Sequence, residues 1–342
     1  MTRDNGKIKN SIFHKLVAKW EHFENRYLST PIKRKVLAGK ILDLIANFIK
    51  YFLLYGLCFV IIYPLIQQIA VAVRPPSDIN DPSVLWIPNT FSSDNIYIAI
   101  TILDYWNALK NSIIISGGVC LLTVISTSLA GYVFARMKFK GLKYIFVFVI
   151  LLIIVPQSTI ELPLKRTLID MGLHGNVAVL FVFAFFCMGI RSGVFIFLFR
   201  QFFRNIPEEL EEAAYVDGAS PLQVFVKIML PNASGGILTV AILSFVWQWN
   251  DSYFTTQFVS ASNTTMNTLV TRMMDIQNTI EPAIKDLGLY DLVGQQVMNN
   301  PLFKTMIYNT CGILVMLPLI LGYLLVQKKL FTEGVERSGL VG

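Results

Sequence analysis

Residues 212–231 read EAAYVDGASPLQVFVKIMLP and predict two short helices joined by a tight turn. Four glutamates crowd the start of the first helix, where the positive end of the helix dipole favours negative charge, and Pro207 suits its first position. Gly218 predicts the turn, because glycine adopts positive φ without a steric penalty. Ser220, followed by proline, predicts the start of the second helix, and Pro231 predicts its end. Long apolar stretches flank this helix pair, so we expect it at a membrane surface.

Composition places the chain outside soluble globular proteins. Its 342 residues are 54% hydrophobic and 15% charged, with a mean hydropathy of +0.57. A helix needs about 20 apolar residues to cross about 30 Å of hydrocarbon. Six segments meet that length, at residues 50–73, 112–135, 144–163, 177–199, 233–258 and 306–327. The predicted fold class is an all-α polytopic membrane protein with six transmembrane helices and a helix-turn-helix loop, residues 205–231, between the fourth and fifth.

The distribution of basic residues predicts the topology. Lys and Arg number 11, 4, 3 and 3 in residues 1–50, 136–143, 200–232 and 328–342, together 21 of the 29 in the chain. Because cytosolic segments carry the excess of basic residues, both termini and the loop at 200–232 are expected in the cytosol. The net charge of +7 is therefore explained by membrane orientation rather than by nucleic-acid binding.

Motifs for catalysis and for metal or nucleotide binding are missing from the sequence. The four cysteines lie alone in separate predicted spans, and the three histidines are scattered through polar segments. No G-x-x-x-x-G-K-[ST] motif occurs, so the chain cannot hold ATP phosphates in a P-loop. We expect no catalytic residue, metal or cofactor in this chain. DNA binding is also disfavoured, since the second helix of the pair offers only Gln223 and Lys227 to bases or phosphates.

The helix pair resembles the EAA loop in the membrane subunits of binding-protein-dependent ABC importers. The resemblance is carried by Glu212-Ala213-Ala214, Asp217-Gly218-Ala219-Ser220, Phe225, Ile228 and Leu230-Pro231. It implies that the loop docks as a coupling helix into a groove of a cytosolic ATPase subunit, which binds ATP and magnesium. The implied ATPase-coupling residues are Glu212, Ala213, Ala214, Asp217, Gly218, Ala219, Ile228 and Pro231. Glu212 is the candidate for a charged contact, and Gly218 marks a turn that no side chain should obstruct.

A second set of patterns resembles the carbohydrate-uptake, maltose-type branch of these importers. The patterns are Ala130-Gly131-Tyr132, residues 135–141, Pro156, Pro163-Leu164 and Gly172-Leu173. The resemblance implies one permease subunit of a carbohydrate importer in the bacterial cytoplasmic membrane. Its implied partners are a homologous second permease, a cytosolic ATPase dimer, an extracellular or periplasmic sugar-binding protein and membrane lipid, without nucleic acid.

Two places in the predicted spans are candidates for the substrate pathway, because polar side chains inside a bundle are costly unless they face a cavity or each other. The first is a cluster in the fifth span: Trp247, Trp249, Asn250, Asp251 and Tyr253. Aromatic rings beside amide and carboxylate groups suit a hydroxyl-rich sugar, and an aromatic belt at the membrane interface is the alternative. The second is Arg191 in the fourth span, which either lines the pathway or bonds backbone carbonyls between helices.

Three segments outside the spans have roles that the sequence leaves open. Residues 1–49 are a basic extension with apolar residues at helical spacing, compatible with an interfacial helix or a cytosolic tail. Residues 259–305 form a long external loop, which by resemblance to maltose-type permeases reaches into the sugar-binding protein; a plain surface loop is the alternative. The cytosolic tail, residues 328–342, is by the same resemblance an ATPase contact and otherwise a frayed end.

Three other functions remain open on the residues alone. An ion-driven secondary transporter would show inverted repeats and intramembrane carboxylates, which are not evident here. A membrane signalling protein would bind a regulator through the helix pair and would need no external loop. An importer for amino acids, peptides or phosphate is compatible with the helix pair, because a coupling loop touches no substrate.

Overall fold

The computed structural model describes residues 30–76, 78, 88, 90–260, 266–286, 288 and 300–336, and every regular element in these ranges is helical. In chain order the helices are α1 Pro31–Ala72, α2 Asp94–Leu103, α3 Tyr105–Arg136, α4 Leu142–Ile154, α5 Gln157–Asp170, α6 Ala178–Phe185, α7 Ser192–Arg204, α8 Glu209–Val216, α9 Pro221–Asn232, α10 Ser234–Trp249, α11 Tyr253–Thr255, α12 Leu269–Asp286 and α13 Pro301–Glu336. Helix α9 contains a π turn at Phe225–Met229. A second π turn, Thr256–Ser260, follows α11. An all-α fold is confirmed for this part of the chain.

Several predicted boundaries differ from the observed helices. Helix α1 begins at Pro31, inside the predicted N-terminal extension, and α13 continues through Glu336, inside the predicted tail. Helix α12 lies within the predicted external loop, so the described part of that loop is partly helical. The interfacial helix predicted for the extension falls in residues 1–29, which lie outside the described residues, as do residues 337–342 of the tail.

The chain divides into two compact units, with the boundary between Gln67 and Gln68. In the first unit, the described residues form the larger part of α1. Apolar side chains on this part, such as Phe48, Leu57 and Ile61, are exposed. A long apolar helix surface of this kind suits contact with lipid or with an apolar partner. All sites described below lie in the second unit.

Fewer helices reach membrane-spanning length than the hydropathy pattern predicts. Among the described residues, α1, α3 and α13 are long and apolar enough to cross a membrane, and the number rises to five if each of two bent helix pairs counts as one span. The bent pairs are α4 with α5, at 102°, and α9 with α10, at 79°. Broken helices therefore replace part of the expected continuous spans.

The third predicted span, residues 144–163, is interrupted at a proline. Helix α4 ends at Ile154, and Val155 is extended with a ψ of 122°. The ring of Pro156 explains this conformation, because a proline disfavours the helical region for the residue that precedes it. The third predicted span therefore consists of two helices with a bend between them.

The fourth predicted span, residues 177–199, is also interrupted, between α6 and α7. Cys187 and Arg191 in the connection both have a φ of 56°, in the left-handed region that residues other than glycine rarely adopt. Arg191 is thus the residue that precedes α7 and is not in the middle of a helix. The fifth predicted span likewise ends early, since α10 stops at Trp249.

Helix α3 lies at the centre of the second unit and packs against α6, α7 and α10. Its approach to α7 requires a glycine, because a Cβ atom at Gly131 would lie 2.5 Å from the Cβ of Phe199. Buried aromatic side chains of α3, α7 and α9 form one core cluster: Tyr132, Phe195, Phe199, Phe203 and Phe225. This aromatic cluster joins the end of α3 to the loop at residues 205–231.

A second core cluster holds α2, α3, α12 and α13 together. Its fully buried members include Ile98, Leu103, Leu269, Phe303 and Ile307. Two polar bonds support the same packing: the Tyr105 hydroxyl donates to the Leu314 carbonyl, at 3.3 Å, and the Leu269 amide donates to the Ser112 hydroxyl, at 2.9 Å. Helix α12 is therefore anchored to the bundle.

Candidate functional site

The turn between α8 and α9 has the geometry that its sequence predicts. Gly218 has a φ of 83°, and its amide donates to the Tyr215 carbonyl at 3.0 Å. The next amide, of Ala219, donates to the Ala214 carbonyl at 3.0 Å. These two bonds form a Schellman motif, which satisfies carbonyls that the end of α8 would otherwise leave unpaired. Among the described residues, nothing lies within 4 Å of the position that a Gly218 Cβ would occupy.

The start of α9 is closed by a capping box. The Ser220 amide donates to the Gln223 side-chain oxygen at 2.8 Å, and the Gln223 amide donates to the Ser220 hydroxyl at 3.4 Å. The predicted cap at Ser220 is confirmed, and Gln223 is a partner that the sequence analysis did not assign. The position predicted for Pro207 was wrong, because α8 begins at Glu209. The chain turns from α9 into α10 at Ala233, two residues after the predicted break at Pro231.

Apolar contacts hold the helix pair against the end of α3. The ring of Phe225 lies 5.1 Å from the ring of Tyr132, and the Tyr132 ring lies 5.7 Å from that of Phe203. Met229 is fully buried in the same aromatic cluster. Leu222 does not belong to this buried face of α9 and is 66% exposed. The π turn at Phe225–Met229 adds a residue to the helical repeat and so changes which side chains share a face.

A buried ionic cluster fixes the first turn of α8. The Glu211 carboxylate forms an ion pair with the Arg136 guanidinium, whose Nε lies 2.9 Å away, and it accepts a hydrogen bond from the Tyr132 hydroxyl at 2.8 Å. Arg136 also pairs with Glu208, at 3.3 Å, and donates to the Ile206 carbonyl. Burying two charges is tolerable only where each has close partners, and this arrangement supplies them. The loop is therefore attached to α3 by charge as well as by apolar contact.

The opposite side of the helix pair is exposed and combines acidic with apolar side chains. Of the predicted coupling residues, five are exposed: Glu212, Ala213, Asp217, Gly218 and Pro231. Ala214 is buried, and Ala219 and Ile228 are half-buried. Large apolar residues lie exposed on the same pair of helices: Leu210, Val216, Leu222 and Val226. Such a surface is typical of a protein interface.

The candidate pathway residues of the fifth predicted span do not form one site. Trp249 is 2% exposed, and its indole N–H donates to the Val315 carbonyl at 3.2 Å, which places it in the core between α10 and α13. The Asp251 carboxylate caps the next helical segment by accepting from the amides of Phe254, at 3.0 Å, and Thr255, at 2.7 Å. Asn250 is exposed at the end of α10.

Trp247 and Tyr253 have separate partners. The Trp247 ring lies 5.2 Å from the ring of Phe195 and 4.8 Å from the Arg191 guanidinium carbon, a cation–π contact. The Tyr253 hydroxyl donates to Glu161 on α5. Arg191 and Glu161 line one cavity of about 310 Å³ between α4, α5 and the break after α6. Glu161 was not among the residues predicted for the pathway.

Known proteins are similar to this chain in sequence and in fold. Residues 120–330, more than half of the chain, match the family described as the binding-protein-dependent transport system inner membrane component. The chain is 30% identical over 198 residues to the arabinooligosaccharides transport system permease protein AraQ of Halalkalibacterium halodurans, covering 57% of this chain and 69% of that protein. It is 35% identical over 181 residues to the melibiose/raffinose/stachyose import permease protein MelC of Bacillus subtilis, covering 52% and 64%.

The fold is similar to that of a solved transporter. A crystal structure of a bacterial ABC transporter involved in the import of the acidic polysaccharide alginate contains a chain that matches with a TM-score of 0.67 and 20% identity, over 84% of this chain and 96% of that chain. At this identity the likeness concerns the fold alone. The family match spans α4 to α12, the second half of α3 and most of α13, and includes the whole helix pair. The chain therefore belongs to the family of inner membrane components of binding-protein-dependent transport systems.

Proposed function

We propose that this chain is one permease subunit of an ABC importer, that it forms part of the translocation pathway for a carbohydrate, and that it couples this pathway to a separate cytosolic ATPase. The family supports the transport role. The names of similar permeases, which include arabinooligosaccharides and raffinose, support a carbohydrate. The observation that carries the coupling role is the buried pair of Arg136 and Glu211, which fixes one side of the helix pair while the other side stays exposed.

The proposed arrangement has six membrane crossings with both termini in the cytosol. The pair α4 and α5 stands in place of the third predicted span, and α6 with α7 stands in place of the fourth. The loop at residues 205–231 then lies on the cytosolic side, where the excess of Lys and Arg is found. The partners are a homologous second permease, an ATPase dimer that binds ATP and magnesium, and an extracellular or periplasmic sugar-binding protein. The sequence has no P-loop, so we assign ATP hydrolysis to the partners.

The exposed side of the helix pair is the proposed contact with the ATPase. Val216 and Leu222 would enter an apolar groove, and Glu212 and Asp217 would meet basic residues at its edge. When ATP closes the ATPase dimer, the coupling loops of the two permeases are drawn together, and the bundle turns from inward-open to outward-open. Because the Arg136 and Glu211 side chains attach the loop to α3, the movement reaches the bundle.

ATPase activity of the reconstituted complex tests this proposal. This chain is purified with its candidate permease, ATPase and binding-protein partners, and arabino-oligosaccharides, melibiose and raffinose are added in turn. We expect one sugar-loaded binding protein to stimulate ATP hydrolysis. An assembled complex that responds to no sugar would contradict the carbohydrate assignment. Failure of every candidate ATPase to bind would contradict the coupling role.

A further inference from the structure

A cleft of about 380 Å³ in the second unit opens between the last turn of α1, from Gln68, and helices α10, α12 and α13. Its polar lining residues are Gln68 near the end of α1, Asn250 and Ser252 beside the end of α10, and Tyr308 and Asn309 on α13. Met273 and Met274 of α12 complete the wall. Ligand sites in proteins are of about this volume, commonly about 300 to 1,000 Å³. Of these residues, only Asn250 was among the substrate-pathway candidates from the sequence.

The polar groups in this cleft have unused hydrogen-bonding capacity. The Gln68 side-chain oxygen is buried and has no hydrogen-bond partner in the described part of the chain. The side chains of Ser252, Tyr308 and Asn309 make no hydrogen bond to the described residues either. The Asn250 side-chain amide donates to the Val246 carbonyl, which leaves its oxygen available. Unsatisfied polar groups are costly inside a membrane bundle, so they indicate a water-filled path or a ligand.

The backbone beside the cleft is a second, independent reason to expect a water-filled path or a ligand there. Residues 250–252 belong to no helix and lie between α10 and α11, inside the fifth predicted span. Backbone that is not helical is tolerated at membrane depth only where protein buries it or where it lines an aqueous cavity. Asn250 is exposed and Ser252 is half-buried, so this break opens into the cleft.

We propose that this cleft binds an uncharged, hydroxyl-rich solute, that is, a neutral sugar, on its way through the permease. The residues that line it carry amide, hydroxyl, thioether and aromatic groups and no charge. Amides and hydroxyls both donate and accept, which matches sugar hydroxyls, and the ring of Tyr308 offers an apolar face to a sugar ring. An amino acid or a phosphate would require charged partners, and the cleft has none.

The location of the cleft fits the proposed topology. Gln68 is near the end of the first predicted span, Asn250 is near the end of the fifth, and Tyr308 is near the start of the sixth. With a cytosolic N-terminus, all three positions fall toward the external side of the membrane. The cleft then lies at the opposite end of the bundle from the helix pair. A sugar released by an external binding protein would reach this side first.

Single-hydroxyl and amide variants test the proposal, which rests on the proposed sugar-import function. Wild-type complex in proteoliposomes is first assayed for uptake of radiolabelled arabino-oligosaccharide, melibiose and raffinose. Tyr308→Phe, Ser252→Ala and Asn309→Ala are then compared with Tyr323→Phe, which removes the same hydroxyl from the same helix outside the cleft. Each cleft variant should lower the transport kcat/KM by about three- to tenfold, since one sugar hydrogen bond is lost. The ratio between two transported sugars should also change, whereas the ATPase rate without sugar should not.

The possible outcomes separate the cleft from the importer function. Uptake by the wild type with unchanged kcat/KM and sugar ratio in all three cleft variants would overturn the cleft proposal and leave the importer function standing. An equal loss in Tyr323→Phe would overturn it as well, because the effect would then be structural. If Asn309→Ala lowers the yield of assembled complex, the two hydroxyl variants decide. A wild-type complex that assembles and takes up no sugar would overturn the importer function, and the cleft proposal with it.

Discussion

The guanidinium Nε of Arg136 lies 2.9 Å from the Glu211 carboxylate, and the two side chains are only 7% and 9% exposed. Arg136 is the last residue of α3, and Glu211 lies in the first turn of α8. By contrast, both side chains are 36% or more exposed in the ion pairs Arg166–Asp170, Arg272–Asp104 and Lys304–Glu281. The pair of Arg136 and Glu211 joins the central helix of the bundle to the loop that we propose binds the ATPase.

Replacing Glu211 by glutamine should destabilise the protein. The amide keeps the shape and can still bond the Tyr132 hydroxyl, but the Arg136 charge loses its buried counter-ion. Removing one partner of a buried pair costs about 3 to 5 kcal/mol, and the remaining contact with Glu208 puts the expected loss near 3 kcal/mol. Thermal denaturation of the purified subunit in detergent measures the change. Glu209→Gln, in the same exposed turn, is the control and should leave stability within about 0.5 kcal/mol.

Replacing both Arg136 and Glu211 by apolar residues should restore the stability of the protein more than its sugar-stimulated ATPase activity. In Arg136→Met with Glu211→Leu, no buried charge is left unpaired, so the double variant should be more stable than Glu211→Leu alone by about 2 kcal/mol or more. It also loses the directional bonds that fix the orientation of α8, so sugar-stimulated ATPase activity should fall below that of the wild type. Denaturation and ATPase assays on the same preparations check both expectations. A double variant less stable than either single variant would contradict this account of the pair.

Replacing Gly218 by aspartate should affect assembly more than folding. The positive φ costs a residue with a side chain about 1 kcal/mol, and aspartate tolerates this region better than most. No atom in the described part of the chain lies within 4 Å of the new Cβ, so we expect a larger effect to come from the ATPase. We expect a small change in Tm and a loss of co-purified ATPase. Gly218→Asn separates the effect of side-chain size from the effect of charge. An equal loss of co-purified ATPase in both variants indicates steric obstruction, and a milder loss in Gly218→Asn indicates charge. Normal assembly of both variants would disprove the contact between this turn and the ATPase.

Replacing Gly131 by alanine should separate α3 from α7. The added Cβ would meet the Phe199 Cβ at 2.5 Å, so one helix must move, at a cost of about 1 to 3 kcal/mol. Gly117→Ala is a matched control in the same helix, because no neighbouring atom of the residues that the structure describes lies within 4 Å of the new Cβ. That control should be neutral or stabilising by up to about 1 kcal/mol, as alanine favours helix. Equal stability of Gly131→Ala and Gly117→Ala in denaturation curves would refute the close approach of α3 and α7.

Replacing Arg191 by alanine should lower transport and leave most of the folded protein intact. The variant loses a cation–π contact with Trp247 that is worth about 1 kcal/mol at an exposed site. Arg191→Lys keeps the charge and is the matched comparison for uptake and yield. Poor yield of Arg191→Ala with normal activity per folded molecule would assign the residue to structure and not to the pathway.

Local signals in the sequence predicted local structure well. The turn at Gly218 and the cap at Ser220 follow from the φ preference of one residue and the hydroxyl of another, and both are observed. The fate of Glu211 could not be predicted in this way. Four glutamates stand within five residues, and only the docking of α8 on α3 decides which of them is buried beside Arg136.

Hydropathy located the apolar segments and missed the places where the helices break. The stretch from Ala178 to Phe199 is apolar except at Arg191 and Ser192 and contains no proline, so its composition does not mark Cys187 and Arg191 as left-handed residues. Pro156 is a visible signal for a helix break, but the apolar residues around it favoured one span in the prediction. The aromatic and polar cluster of the fifth span was divided by tertiary structure, since Trp249 turned into the core while Asn250, the next residue, faces the cleft.

Helices α9 and α10 meet at a bend of 79°, so together they can act as a lever in which α9 is the short arm and α10 is the long arm. A push along α9 acts almost at right angles to α10, so it tilts α10 instead of sliding it along its own axis. Helix α10 has 16 residues and is about 24 Å long. A tilt of about 10° about Ala233 would carry its far end through about 4 Å, given that length. Asn250 sits at that far end, so the largest displacement falls where the polar cleft begins.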